Sequence, residues 1–597
     1  MGEMQMVVAK SKITAACAVV LMTCIVGSMV AETALAGPTI TDWFSTGGTP
    51  QYKDNVKDLI YKITQGDNVT FSVTAGGTGA LSYLWQALKG SKVVATSSAG
   101  KTFSWTVPDE KATWDVKVTV SDSGSRSKTH LVWSITTSDV KTVSAGASIQ
   151  NAIDTLPAEG GIVELGEGTW ILTPAAGDVD VGVIRIIQRH NVTLRGAGAD
   201  KTVLKTASTD VCLVVVSPLE DNDFIIHEAG GGAAQQDPRL KNAPFYNYAV
   251  IRDIHFIGPG VRVESGKSIY SILYAKISDS VIEDVKVEKF GDGILLYRCN
   301  YNALERVEIV ESNRGGLFFS MCEDNRIENC LFERANRWYA FDLNGGGVRN
   351  KIIGNTFKAN GQGDLKLYSG SRLNEIIGNT FNGAGSSSCG VIIMNGAWNL
   401  IQGNVFANHK KITDYAAVVQ KSGGGSHPPE YYNHDNKVID NSFYDSKGDA
   451  VLLVVGAPME VRNNIIVKSA GKAINGIDPV NCSYNDLWQN VGGDTGGGTG
   501  SISADPLFAD PANGDFHLKS KVGRWNPVSE QWVTDTVNSP CIDAGDPAST
   551  FSDEPAPNGG RINMGAYGNT DQASKTEVPA EVKGRHVFYN NSAFDGN

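Results

Sequence analysis

The chain has 597 residues, and its 66 glycines are about 11% of them, against a usual share of roughly 7%. This excess has no Gly-X-Y period and comes with only 21 prolines, which excludes collagen and a disordered low-complexity chain. A net charge of −12 argues against a general nucleic-acid binder, and an acidic polymer would need a local basic patch or a bridging cation.

Residues 1–36 are typical of a secretory signal peptide. Lys10 and Lys12 supply a basic flank, residues 13–30 are apolar, and residues 34–36 (Ala-Leu-Ala) form a small-residue cleavage site. The alternative is an uncleaved membrane anchor, because the apolar run approaches spanning length. No later segment is apolar enough to span a bilayer, so the mature chain is predicted to be secreted or attached to the cell surface.

Residues 38–138 contain short alternating strands separated by Gly, Ser and Asp turns, a rhythm that favours a seven-strand sandwich. The segment resembles Ig-like and PKD-type modules of secreted proteins, in Trp85, Trp105-Thr-Val-Pro108 and Val118-Thr-Val-Ser-Asp122. We expect its tryptophans in the core; stacking on sugars is the alternative.

An internal repeat follows a short helix that Ser148 is placed to cap. One six-residue frame recurs at 282–287, 304–309, 327–332, 352–357, 376–381, 401–406, 438–443, 461–466 and 482–487. A period near 23 residues with short apolar strands fits one coil of a parallel β-helix, stacking every ~4.8 Å. Leucine-rich repeats have a similar length, but their spaced leucines are absent.

The helix followed by Gly160-Gly161, together with units such as 291–297 followed by 304–309, resembles the right-handed parallel β-helix (pectin-lyase-like) proteins. The resemblance covers about residues 143–500 and is more specific for fold than for chemistry. It implies an all-β fold and a carbohydrate-active protein. It also implies an active site on the outer face of one sheet, framed by long turn insertions.

Two sets of repeated residues have a structural explanation. An asparagine ladder is predicted from Asn355, Asn379, Asn404, Asn441, Asn464 and Asn485, since stacked amides bond along the axis. Cys299 and Cys322 occupy equivalent places on neighbouring coils, as stacked buried thiols or as one disulfide. No cysteine pair forms CxxC, so a zinc site is not expected.

Residues 501–570 resemble the closing segment of many secreted β-helix proteins, named a choice-of-anchor Q region. The resemblance lies in 514–518, 539–547 and 559–568. We expect this segment to close the last coil, because an open β-helix end exposes unpaired edges. Residues 571–597 form a polar tail.

Alignment of the first strand of each coil places Leu365 and Leu367 inward with their counterparts, and alternation then fixes the outward residues. Asp342 and Lys366 become lateral neighbours on adjacent coils. The surrounding polar set is completed on the strands by Asn344, Asp364 and Tyr368, and on the flanking turns by Arg337, Trp338 and Arg372.

This patch has two interpretations. One is a solvated ion pair on a sheet face, worth ~0–1 kcal/mol. The other is a polysaccharide groove in which Lys366 or Tyr368 takes the C5 proton of a uronic acid and an arginine neutralises its carboxylate. A calcium ion held by Asp342 and Asp364 could replace the arginine, whereas a hydrolase would use those two carboxylates as acid and base.

Two insertions, at residues 217–247 and within the 37-residue step after 401–406, could frame such a groove. His427 and Tyr431 of the second are candidate substrate contacts; a solvated decoration is the alternative.

Together these features predict an all-β chain, a right-handed parallel β-helix solenoid preceded by an Ig-like β-sandwich. We expect a monomer that binds and cleaves an extracellular polysaccharide, with no certain cofactor. A lyase, a hydrolase and an epimerase all fit. The alternative is a non-catalytic surface or adhesion protein that uses the β-helix as a rigid spacer.

Overall fold

The computed structural model describes residues 39–46, 68–76, 80–89, 91–98, 100–108, 113–121, 123, 127–136, 139–158, 160–174, 182–209, 212–219, 238–260, 270–384, 389–410, 415–423, 433–494 and 496–577. The predicted signal peptide, His427 and Tyr431 lie outside these ranges. The chain divides into two compact units, residues 1–139 and 140–597.

The first unit contains two antiparallel sheets. One consists of Thr39–Thr46, Asn68–Gly76 and Thr102–Thr106; the other consists of Lys92–Ser97, Ser82–Lys89, Thr113–Ser121 and Ser127–Thr136. Trp85 of the second sheet stacks on Phe103 of the first at 5.9 Å between ring centroids, so the sheets share an aromatic core. The Ig-like assignment of this unit stays a prediction.

The second unit contains three long parallel sheets, named here A, B and C. Sheet A consists of Ile184–Ile187, Val214–Ser217, Ile272–Ala275, Asp292–Tyr297, Gly315–Ser320, Tyr339–Asn344, Gly363–Tyr368, Val391–Met394, Ala416–Lys421, Asp449–Leu453 and Ile474–Asn475. Sheet B consists of Asp139–Val143, Gly161–Leu165, Val192–Arg195, Val250–Arg252, Val281–Glu283, Ala303–Glu305, Arg326–Glu328, Lys351–Ile353, Glu375–Ile377, Leu400–Gln402, Lys437–Ile439, Glu460–Arg462 and Cys482–Ser483. Sheet C consists of Gly168–Ile171, Thr202–Lys205, His255–Ile257, Lys286–Glu288, Glu308–Val310, Leu331–Glu333, Thr356–Lys358, Thr380–Asn382, Val405–Ala407, Ser442–Tyr444, Ile465–Val467 and Asp486–Trp488.

Four short helices and three short strand pairs complete the described part of the unit. The α-helices are Ile149–Asp154, capped by Ser148 as predicted, and Pro238–Asn242; the 3-10 helices are Pro479–Asn481 and Pro511–Asn513. The small sheets pair Tyr246–Asn247 with Ile277–Ser278, Phe508–Asp510 with Asp515–Leu518, and Arg524–Asn526 with Gln531–Val533. Within the described ranges no helix is long and apolar enough to cross a membrane.

Each coil contributes one strand to A, B and C in turn, which confirms the all-β parallel β-helix. The predicted inward pairs of sheet A are in register, because Phe341 pairs with Leu365 and Leu365 with Val391. All three are fully buried. In sheet C, Phe357, Phe381 and their counterparts stack with 4.7–4.8 Å between ring centroids. Identical side chains of neighbouring coils therefore pack on one another.

Asparagine ladders bind the coils together at two turns. The predicted ladder is confirmed: Asn379 Nδ2 donates to Asn404 Oδ1 at 3.0 Å and Asn355 Nδ2 donates to Asn379 Oδ1 at 2.9 Å. A second ladder, which the repeat frame did not indicate, joins Asn302, Asn325, Asn350, Asn374, Asn399 and Asn436. Cys299 and Cys322 are stacked buried thiols, and no disulfide joins the seven cysteines of the described ranges.

The strands of sheet A depart from simple alternation at their starts. Tyr339 points outward, but Ala340 and Phe341 both belong to the interior core. The coil-to-coil register skips the same position, since Tyr339 pairs with Gly363 and Phe341 with Leu365. This second position is crowded: a Cβ on its counterpart Gly390 would lie 2.6 Å from the ring of Phe406. Small residues are therefore the rule there, and Asp364 is an exception.

We expected the C-terminal segment to close the last coil, but its contacts extend beyond that coil. It folds back along the outer face of sheet C, where Phe516 and Met564 pack with Val405 and Ile465 in one buried cluster. Polar contacts reinforce this docking, such as the backbone N–H of Ala566 donating to Ser442 Oγ at 3.0 Å. The segment thereby contacts several coils at once.

Removing one ladder amide is expected to destabilise the solenoid. Asn379 is buried and makes hydrogen bonds with Ile352 O, Asn404 Oδ1 and the backbone and side-chain nitrogens of Asn355. Asn379→Ala leaves buried groups unpaired, so the free energy of unfolding should fall by about 3 kcal/mol. Denaturant titration checks this, with exposed Thr380→Ala as the control. Equal midpoints for the two variants would contradict the ladder's role.

The docked C-terminal segment should gain stability as pH falls. Burial raises the pKa of Glu554 from 4.5 to about 7. The folded state therefore binds more protons than the unfolded one between these values, and stability is greatest below about pH 4.5 and declines as pH rises through about 7. Glu554→Gln keeps the acceptor for the backbone N–H groups of Asn563 and Asn569 and should be more stable than the wild type at about pH 8, by about 2 kcal/mol.

The measurement is the unfolding midpoint of both proteins at about pH 5 and about pH 8. Exposed Glu530→Gln serves as the control. A wild-type pH dependence that persists in Glu554→Gln would rule out this carboxyl group as its source.

Candidate functional site

The pair predicted from the strand alignment is present on the outer face of sheet A. Asp342 and Lys366 are register partners on adjacent strands, and Lys366 Nζ lies 2.9 Å from Asp342 Oδ2. One interpretation expected a solvated ion pair, but the pair is buried: Asp342 is 1% exposed and Lys366 is 8% exposed. Its neighbours in the same outward row, Phe318 and Ile392, are apolar. The two charged groups are therefore shielded from water, in an environment of low dielectric constant.

Three aromatic rings enclose the ammonium of Lys366. Its Nζ lies 4.4 Å from the ring centroid of Tyr368, 5.4 Å from that of Tyr339 and 5.8 Å from that of Trp338. Trp338 Nε1 also donates to Asp342 Oδ2 at 2.9 Å, while Asp342 Oδ1 is buried without a hydrogen-bond partner. We call Trp338, Tyr339, Asp342, Lys366 and Tyr368 the outer-face cluster.

The cluster has one side open to solvent. Trp338 is 44% exposed and Tyr368 is half-buried, whereas Tyr339 is buried. Burial raises the pKa of Tyr339 well above its usual range, with the nearby Cys389 and Tyr415 adding to the effect. Trp338 and Tyr368 are therefore the residues through which a ligand would reach the pair.

A second ion pair lies beside the cluster. Arg314 Nη2 bonds to Asp292 Oδ2 at 2.6 Å, and the backbone N–H of Trp338 donates to Arg314 O at 2.8 Å. Burial opposes the charge of Arg314, but the carboxylates of Asp292 and Asp342 outweigh it and raise the pKa of the guanidinium. This turn holds Trp338 in place over the strands.

Asp364 is not on the outer face, contrary to our expectation. It occupies the second, inward position of its strand and is fully buried. Its Oδ1 accepts from Asn360 Nδ2 at 2.9 Å, and its Oδ2 lies 3.2 Å from His409 Nε2. Alternation failed here because two consecutive residues of the strand point inward. Asp342 and Asp364 therefore do not face a common space.

The other predicted residues lie around the cluster. Arg337 is exposed on the turn before the strand of Asp342, and Arg372 lies on the turn after the strand of Lys366, at the opposite end. Asn344 is half-buried, and its Oδ1 accepts from the backbone N–H of Gly345 at 2.7 Å. Arg337 and Arg372 thus flank the cluster from two sides.

Arg372 lines a groove on the turn that joins sheets A and B. The groove has a volume of about 460 Å³ and is lined by Phe245, Lys276, Arg298, Asn300, Met321, Glu323, Gly345, Gly346, Val348, Ser369, Gly370 and Arg372. Sequence reasoning missed Lys276 and Arg298. A signal was available, because each directly follows a strand of sheet A, as Gly345 and Ser369 do on later coils.

The described residues hold no group of three or more His, Cys, Asp or Glu side chains that could bind a metal ion. With Asp364 turned inward, the calcium site sketched from Asp342 and Asp364 does not fit the arrangement.

Two family models match parts of the second unit. The family described as "Right handed beta helix region" matches residues 247–406, and the family described as "Disaggregatase related" matches residues 372–545. Each match covers less than half of the chain. The first agrees with the solenoid and describes it as right-handed. No curated protein matches the chain in sequence.

Among solved structures, the chain is similar to a family 28 exopolygalacturonase of Yersinia enterocolitica, with 10% identity, 77% of this chain and 97% of that chain covered, and a TM-score of 0.44. It is also similar to the A-module of the mannuronan C-5 epimerase AlgE6 of Azotobacter vinelandii (17%, 61% and 97%, TM-score 0.38). An alginate lyase of a Paenibacillus species gives 14%, 56% and 97%, with a TM-score of 0.36. Likenesses this distant carry no argument about activity.

The burial of the ion pair leads to a stability prediction. Lys366→Met leaves the Asp342 carboxylate buried without its cation, so the free energy of unfolding should fall by about 3 kcal/mol. Asp342→Leu combined with Lys366→Met should recover most of this loss, because it continues the apolar row. Denaturant titration of both variants is the measurement.

Lys437→Met is the matched control, since Lys437 and Glu460 form an exposed pair on sheet B, and its cost should stay below about 1 kcal/mol. A Lys366→Met cost as small as the control's would mean that the pair behaves as a solvated one.

Proposed function

We propose that the chain binds an acidic extracellular polysaccharide across the outer-face cluster and the adjoining groove and cleaves it by elimination. The observation that carries the proposal is a buried Asp342–Lys366 pair beneath a half-exposed Trp338, between the apolar Phe318 and Ile392 of the same outward row. A buried charge pair in an apolar surface is expensive to maintain, and such sites are often functional.

The groove supports an acidic ligand. Its lining contains three cations, Lys276, Arg298 and Arg372, against one carboxylate, Glu323. This is the local basic patch that a chain of net charge −12 would need to bind an acidic polymer. The exposed ring of Trp338 adds an apolar face on which a sugar can stack.

Elimination needs a base for the C5 proton and a cation for the neighbouring carboxylate. The base takes the proton, the electron pair forms the C4–C5 double bond, and the C4–oxygen bond breaks, with solvent protonating the leaving sugar. We assign Tyr368 as the base, which must act as its phenolate, because its ring is half-buried at the open side of the cluster and lies beside the pair, with the Lys366 ammonium 4.4 Å from the ring centroid. Lys366 suits a fixed cation better, since its ammonium is bonded to Asp342. Arg372 is the residue on the same coil placed to neutralise the substrate carboxylate.

The same geometry disfavours hydrolysis by Asp342 and Asp364. An acid and a base must face the glycosidic bond from either side, and the Asp364 carboxylate is bonded to Asn360 and His409 in the interior. An epimerase would share the first step, proton removal at C5, and would differ in returning the proton.

The test is incubation of the protein with pectate, alginate, chondroitin and a neutral glucan, with and without calcium. We expect new ultraviolet absorbance from unsaturated uronates with an acidic polymer, and a loss of roughly 100-fold or more in Tyr368→Phe with binding retained. Tyr301→Phe, on a turn three coils away, is the matched control.

Other outcomes would overturn the mechanism. New reducing ends without unsaturation would indicate hydrolysis. An inverted C5 configuration without cleavage would indicate epimerisation. Binding without any product would indicate the non-catalytic surface protein considered as the alternative.

A further inference from the structure

We propose that Lys276 and Arg298, beside the ring of Phe245, form a subsite for an oxyanion substituent of the polysaccharide, a carboxylate or a sulfate ester. This inference rests on the proposed function, since it names the chemical group by which the substrate is selected. The subsite lies at the opposite end of the groove from Arg372.

The backbone places the two cations together. Lys276 and Arg298 directly follow the paired strands Ile272–Ala275 and Asp292–Tyr297, and both have left-handed conformations, with φ of 54° and 51°. Register partners on adjacent coils are separated by ~4.8 Å. Their side chains line the same groove, so two positive charges converge on one region of it.

The environment leaves the charge of Lys276 poorly compensated. Lys276 is only 9% exposed, and its Nζ lies 4.3 Å from the ring centroid of Phe245. Burial lowers the pKa of Lys276, and the charge of Arg298 lowers it further. Within the described ranges, no carboxylate lies at ion-pairing distance from the Lys276 ammonium. An oxyanion bound between the two cations would relieve their repulsion.

Glu323 does not supply that compensation. It is the carboxylate that lines the groove, and its Oε2 lies 3.0 Å from Nη2 of Arg349. Its charge is therefore shared with Arg349, which does not line the groove, and it does not pair with the Lys276 ammonium.

The length of the groove favours a polymer over a small ion. From Lys276 through Arg298, Met321 and Gly345 to Ser369 it crosses four coil steps, about 19 Å. Gly345 and Gly346 leave it without side chains toward the Arg372 end, and Phe245 and Met321 add apolar surface. A sugar chain lying along the axis could present one acid group at the Lys276 end and another at Arg372.

The experiment measures binding of the full chain in the Tyr368→Phe background, so that the polymer is not consumed. The probes are chondroitin, chondroitin sulfate, alginate, dextran sulfate and neutral dextran, measured by calorimetry at two salt concentrations. We expect Lys276→Gln with Arg298→Gln to weaken binding of a charged polymer roughly tenfold or more and to reduce its salt dependence. Lys358→Gln, at an exposed lysine of sheet C, should leave binding unchanged.

The choice of polymers distinguishes a sulfate ester from a carboxylate as the bound oxyanion. A loss confined to chondroitin sulfate and dextran sulfate identifies a sulfate subsite, whereas an equal loss with alginate identifies a carboxylate subsite. Unchanged affinity for every charged polymer in the double variant, with native unfolding midpoints, would overturn the subsite.

The two proposals fail differently. If the chain yields no unsaturated product but the double variant loses affinity, elimination is wrong and the subsite stands. If the wild type cleaves an acidic polymer and Lys276→Gln with Arg298→Gln leaves KM unchanged, the subsite is wrong and elimination stands.

Discussion

The parallel hydrogen bonding between coils is the constraint on which the rest of this structure depends. Once Leu365 is paired with Phe341 on one side and Val391 on the other, every side chain of the coil has an assigned neighbour above and below. Identical residues then stack, as the phenylalanines and asparagines do, and unlike residues are forced into contact. Asp342 and Lys366 are such a forced pair, and their close approach is a product of register.

The sequence was informative wherever a residue's position follows from the period. The solenoid, the asparagine ladder and the lateral contact of Asp342 with Lys366 all follow from a repeat near 23 residues combined with alternation. Asp364 was misplaced because alternation breaks at the second position of its strand, as it does at Ala340 on the preceding coil. Small residues at that position were visible in the sequence, but only the structure shows that a larger side chain would collide with the core, as a Cβ at Gly390 would with the ring of Phe406.

Features that depend on contacts outside the repeat could not be derived. The burial of the Asp342–Lys366 pair depends on Trp338, which lies over it from a turn. The path of the C-terminal segment depends on contacts between residues more than a hundred positions apart, such as Ala566 and Ser442. Local patterns carry no information about such pairs.

That C-terminal segment alters how the solenoid can come apart. A plain solenoid is a nearest-neighbour chain, in which each coil is held only by the two beside it and unravelling can begin at an end. Here Met564 packs in one buried cluster with Val405 and Ile465, which lie two coils apart, so one strap of chain spans non-adjacent coils. The coils that the strap contacts, from that of Val405 to that of Asp486, can then separate only after the strap lifts, which makes them a single cooperative block.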